Sequence, residues 1–75
     1  MAASLSVGEQ IRRARRQRGF TQAQLASETG LTRAYIARLE TDEAAPSLPA
    51  LTRIARALGR HVSISLVKRR TRRED

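Results

Sequence analysis

The chain has 75 residues, with 15 Lys/Arg against 7 Asp/Glu and a formal net charge of +8. That length allows one domain, small enough to bury only about 60% of the surface its unfolded chain exposes, so that a second copy would help to stabilise it. The absence of Cys rules out disulfides and thiolate zinc sites; no apolar run nears the roughly 18 residues of a membrane span, and Met1–Gly8 lacks a signal-peptide core, so the sequence reads as cytoplasmic and soluble.

Catalysis has no support. His61 is the single histidine, with no Cys and no second His to share a nucleophile or a metal, so no catalytic, metal or cofactor site is expected. What remains is a small basic binding module whose charge points to nucleic acid or an acidic protein. The charge is uneven. Residues 1–40 hold seven basic and three acidic side chains, 41–59 hold two of each, and 60–75 hold six and two.

The first helix is expected to begin at Ser6. Ser6 and Glu9 have capping-box spacing, and Val7, Ile11, Ala14 and Arg18 recur at helical intervals. Gly19 supplies the left-handed residue that ends such a helix. Arg12, Arg13 and Arg16 form a solvated basic face. Arg15 lies four residues after Ile11, close to the apolar stripe, and needs an acidic partner in or near the core.

A second capping box, Thr21 to Gln24, opens a short helix that turns Leu25 and Ala26 inward and stops at Gly30. Leu31 caps the core and Thr32 restarts the helix as an N-cap. Helix, short Gly-containing turn, helix is the helix-turn-helix signature.

The third helix, Thr32–Glu40, carries the most informative face. At 100° per residue, Arg33, Ala34, Ala37 and Arg38 fall within an arc of about 140°, with Ile36 and Leu39 opposite and Tyr35 near the border. Two Ala keep that surface shallow enough to approach the floor of a DNA major groove. The Arg forks can then pair with guanine O6 and N7, and an Ala can touch a thymine methyl. Glu40 projects to the edge of this face and is the natural partner for Arg15, as a structural ion pair between helices 1 and 3.

Thr41–Pro46 reads as a polar loop, and Ser47 caps a fourth helix in which Leu48, Leu51, Ile54, Ala55 and Leu58 keep the helical period. Pro49 is tolerated in its first turn, and Gly59 ends it. The expected core is Ile11, Phe20, Leu25, Leu31, Ile36, Leu39, Leu48, Leu51, Ile54 and Leu58. After Gly59 the period changes to two. Residues 61–67 alternate, with Val62, Ile64 and Leu66 on one face, which reads as a strand. No other segment does, so its backbone must find an edge outside its own chain. The economical solution is the same strand of a second copy, a C2 dimer with a two-stranded shared sheet. The competing reading extends the fourth helix, against the β-branched Val62, Ile64 and Val67 and the poor helix formers Ser63 and Ser65.

The stretch Ile11–Arg15, Gly19–Gln22, Leu25–Ala26, Gly30–Thr32, Tyr35–Ile36 and Arg38–Glu40, followed by Pro46–Leu48, Leu51, Ile54 and Leu58–Gly59, strongly resembles the Xre/Cro-type helix-turn-helix domain. The match covers about residues 7–59. The resemblance implies a mainly α fold of four to five helices, lambda-repressor-like, in which the helix after the Gly turn reads operator DNA. By the same resemblance Gln22 anchors a phosphate at the start of helix 2, Arg33, Ala34 and Arg38 occupy the base-reading positions, and Arg15 and Glu40 match a family ion pair. Thr32, at the helix start, and Ala37, on the projected face, complete the expected DNA-binding set. Tyr35 stands where the family often has a short hydroxyl residue on phosphate.

A fourth helix followed directly by an apolar strand is similar to antitoxins of the HipB and HigA kind. That resemblance implies an operon-autoregulating repressor that also neutralises a toxin protein. The alternative is a stand-alone regulator of phage or Xre type. The resulting map has an N-terminal arm at 1–6, a DNA-binding domain at 7–59, a dimerisation strand at 60–67 and a basic flexible tail at 68–75. Its partners are double-stranded operator DNA, a second copy and a cognate toxin, with no membrane.

Overall fold

In the computed structural model, residues 5–62 are described. Four helices follow in order: α1 (Val7–Arg18), α2 (Gln22–Thr29), α3 (Arg33–Glu40) and α4 (Leu48–Ala57). Their ends follow from local chemistry. Glu9 N–H donates to Ser6 Oγ at 3.1 Å while Ser6 N–H donates to Glu9 Oε1 at 3.2 Å, a reciprocal box that satisfies two otherwise orphaned donors. Thr21 and Gln24 repeat it at 3.0 and 2.8 Å. Thr32 and Ser47 cap α3 and α4, accepting from Tyr35 N–H and Ala50 N–H.

The turn between α2 and α3 needs a left-handed residue. Gly30 provides it at φ 73°, where a Cβ would be strained, and its N–H closes on Ala26 O. Leu31 N–H also donates to Ala26 O, at 3.1 Å, so the chain reverses within three residues. The second helix of this pair then packs across the first. Thr29, buried at the end of α2, satisfies its hydroxyl on Leu25 O (2.8 Å) and Ala26 O (3.2 Å).

Packing runs α1 on α3, α2 on α3, and α2 on α4. Leu25, Ile36, Leu39 and Ile54 are the largest fully enclosed side chains, so α2, α3 and α4 each contribute to one centre, with Ile11 joining from α1. Phe20, Leu31 and Leu51 are half-buried and pack against this cluster.

Leu48 departs from the expected core: it is 56% exposed. A helical side chain leans back over the turn before it, and Leu48 opens α4 with no such turn to cover. Ala50 and Ala55 fill the buried face of α4 in its place. Val7, the first residue of α1, is likewise 43% exposed for the same reason.

Among the described residues there is no strand, and His61 and Val62 are irregular. Residues 63–67 of the expected dimerisation strand, Ile64 and Leu66 among them, lie outside the described residues, as do the basic tail and residues 1–4 of the arm. Also among the described residues, no helix is long and apolar enough to cross a membrane, and no group of three His, Cys, Asp or Glu is placed to hold a metal.

Candidate nucleic-acid interface

The helix-turn-helix places one face of α3 outward. Ile36, Leu39 and Glu40 are buried, whereas Arg33, Ala34 and Arg38 are exposed. Ala37 and Tyr35 are half-buried on either flank of that face. Thr32 is exposed at its start, with its hydroxyl already committed to Tyr35 N–H at 3.0 Å. Among the described residues no carboxylate lies within ion-pair distance of Arg33 or Arg38, and both guanidinium forks stand free to bind an external acceptor.

Arg15 behaves differently. Its Nε donates to Glu40 Oε2 at 2.6 Å and its Nη2 to Glu40 Oε1 at 2.9 Å, and its remaining Nη1 donates to Phe20 O at 2.8 Å. Both side chains are largely removed from water, and every charged oxygen or fork nitrogen at the contact has a partner. The hydrogen bonds Arg15 donates to Glu40, opposed by burial and reinforced by the carboxylate's charge, raise the Arg15 pKa above its ordinary value. This arginine is locked in its charged form and committed to holding α1 against α3.

Gln22 reaches the same carboxylate. Its Nε2 donates to Glu40 Oε1 at 3.2 Å, so the half-buried first residue of α2 is tied to the last residue of α3. Its helical position could be read from the capping box; its link to Glu40 could not, because that depends on how two helices cross.

A further contact carried no motif. Gly8 N–H donates to Asp42 Oδ1 at 3.0 Å, joining the start of α1 to the residue two beyond α3. The available signal was a glycine inside a predicted helix, where glycine weakens the helix and so often marks a close approach. The outer face of α1 presents Arg12, Arg13 and Arg16, all exposed and, among the described residues, without an ion-pair partner.

The helix-turn-helix family matches the chain over residues 11–64. The immunity repressor protein of Bacillus phage phi105 is 44% identical over 59 residues, which is 79% of this chain and 41% of that protein. The chain therefore spans about two fifths of that relative's length. An HTH-type transcriptional regulator of Methanothermobacter thermautotrophicus is 50% identical over 50 residues, 67% of this chain and 72% of that one.

Among solved structures, the P22 c2 repressor in complex with a synthetic operator superposes with a TM-score of 0.72 at 28% identity, over 76% of this chain and 86% of that one. A chain of the HipA-HipB-O2-O3 complex superposes with a TM-score of 0.69 at 22% identity, over 91% and 100%, a likeness of fold. The chain belongs to the helix-turn-helix family, whose members are transcriptional regulators and not enzymes.

Proposed function

We propose that the chain is a sequence-specific DNA-binding transcriptional repressor that acts as a homodimer. The observation that carries this is the outward face of α3, where two Arg with no ion-pair partner among the described residues flank Ala34 on the second helix of a helix-turn-helix. In this reading α3 enters the major groove, Arg33 and Arg38 pair with base edges, and Ala34 and Ala37 keep the approach close. Thr32, Tyr35 and Gln22 lie at the rim of that face and contact phosphate. Gln22 then serves two acceptors, the carboxylate of Glu40 and the DNA backbone. Phosphate contacts supply most of the affinity and the Arg forks most of the choice of sequence.

The dimer rests on Val62, Ile64 and Leu66, whose alternation gives one apolar face. Val62 itself lines a groove of its own chain, with Val7, Ile11, Leu51 and Leu58, so the support for the dimer is the alternation alone. Two recognition helices related by a two-fold axis would read half-sites about 34–36 Å apart.

The repressor's biological setting is proposed as a toxin–antitoxin operon. Its support is the order of elements, with α4 followed at once by the alternating run and a basic tail. A regulator without a toxin is the alternative, and the 44% identity to a phage immunity repressor favours it. Co-expression with each adjacent gene separates the two: a stable complex with a neighbouring product supports the antitoxin, and its absence supports the stand-alone regulator.

Selection of duplexes from a random pool tests the DNA-binding function. The protein is expected to enrich a two-fold symmetric sequence, and Arg33→Ala to relax base preference at one position in each half-site by about 1–3 kcal/mol. Equal losses on all sequences would remove Arg33 from a base-reading role.

A further inference from the structure

Where α3 ends, the chain makes a contact that the outward face does not require. Gly8 sits so close to the last turn of α3 that a Cβ there would collide with the Leu39 carbonyl oxygen and lie 2.9 Å from that of Glu40. Two residues beyond α3, Asp42 holds φ 63°, a left-handed conformation that residues with a Cβ resist. Its Oδ1 accepts Gly8 N–H at 3.0 Å, one of the four donors at the start of α1 that lack an intrahelical partner. The turn is bound back onto α3 as well, with Asp42 N–H on Leu39 O at 3.1 Å and Glu43 N–H on Arg38 O at 2.9 Å.

Glu40 makes another polar tie between α1 and α3, through Arg15, and Ile36 and Leu39 seat α3 in the core. Apolar packing is non-directional, so small tilts of the helix are set by the directional contacts at its end. Arg33 lies seven residues from Glu40, about 10 Å along the axis, so a tilt of about 3° moves it by about 0.5 Å, the tolerance within which a binding constellation must be held.

We propose that Asp42 is a positioning residue. With Gly8 it makes a second fixed point between α1 and α3, and the two points together set the tilt at which Arg33 and Arg38 meet base edges. The close approach permitted by Gly8 brings the two helix ends together, and the Asp42 carboxylate holds them in register. This rests on α3 being the DNA-reading helix.

Asp42→Gly is the informative variant. Glycine adopts φ 63° freely but offers no acceptor, so relief of strain and loss of the hydrogen bond oppose each other, and the melting temperature stays within about 4 °C. Asp42→Asn keeps an acceptor oxygen and tolerates the left-handed region. Affinity is measured for a duplex enriched by the unaltered protein and for a scrambled duplex. Asp42→Gly is expected to lower the ratio of the two affinities about tenfold, from a displacement well under the 1 Å that can cost about a hundredfold. Asp42→Asn is expected to hold the ratio within about twofold.

An unchanged ratio in Asp42→Gly overturns the proposal, as does an equal loss on both duplexes or a melting temperature that falls far more than stated. A second measurement needs no DNA. Residual dipolar couplings report the axis of α3 relative to α1, and a rotation of at least about 3° is expected in Asp42→Gly. An unmoved axis overturns the positioning role, whereas failure of the unaltered protein to enrich any duplex refutes the DNA-reading function alone.

Discussion

The Arg15 guanidinium and the Glu40 carboxylate meet side-on, Nε to Oε2 at 2.6 Å and Nη2 to Oε1 at 2.9 Å, with the two side chains 10% and 3% exposed. Removing such charges from water offsets much of their attraction, so the pair contributes more to fixing α1 against α3 than to net stability. Taking away one partner is another matter. Glu40→Ala strands the Arg15 charge and is expected to lower stability by about 3–5 kcal/mol in urea unfolding. The double change Arg15→Met with Glu40→Leu should recover most of that loss. A double variant as unstable as the single one would show that the links to Phe20 O and Gln22 matter more than the pair.

Leu25 and Leu48 are the same residue type at opposite extremes of burial, 0% and 56% exposed. Leu25→Ala opens a cavity in the centre and is expected to cost about 2–5 kcal/mol. Leu48→Ala should cost no more than about 0.5 kcal/mol, as for other surface changes. Thermal melts of the two variants side by side check the contrast, and a large loss for Leu48→Ala would mean that a partner covers it in solution.

Ala34 lies exposed on α3, between the exposed Arg33 and Arg38. Ala34→Leu adds bulk where the proposed interface needs a shallow surface, with no core contact to disturb. Operator affinity is expected to fall at least about tenfold while the melting temperature moves by less than about 2 °C. Gel-shift titration and a thermal melt provide the two readings. Undiminished affinity would move the DNA-contacting face away from Ala34.

The proposed shared-strand dimer makes its own prediction. Ile64→Pro removes a backbone donor and a favourable strand residue, and is expected to convert the protein to a monomer by sedimentation analysis. Operator binding should weaken with it, because two half-sites would no longer be engaged by one particle. A fully dimeric, fully active Ile64→Pro protein would exclude a shared sheet.

The helix ends were legible because capping is local chemistry. Ser6 with Glu9, Thr21 with Gln24, and the glycines at 19 and 30 each act within a few residues of themselves. The Arg15–Glu40 pair was also legible, since a charge beside an apolar stripe needs a partner and Glu40 alone projects to the matching edge. Leu48 was misplaced because periodicity assigns a face without regard to where along a helix the residue falls. The Gly8–Asp42 and Gln22–Glu40 contacts were invisible for a different reason: each depends on the crossing of two helices, which no local pattern encodes. The shared outward face of Arg33, Ala34 and Arg38 was legible from the helical period, and all three are exposed in the fold; their proposed roles on DNA are a separate matter.

Both α2 and α3 are eight residues long, short of the roughly 12–15 at which an isolated helix becomes even marginal in water. Neither helix therefore has an existence of its own. α3 holds its shape only while Ile36 and Leu39 are enclosed and its last turn is tied to α1, so the surface offered to DNA is a property of the whole folded domain. Losing the fold and losing the ability to read a sequence are one event. Amide protons of Ile36 and Leu39, which are hydrogen-bonded and enclosed, should accordingly exchange with solvent only through global unfolding.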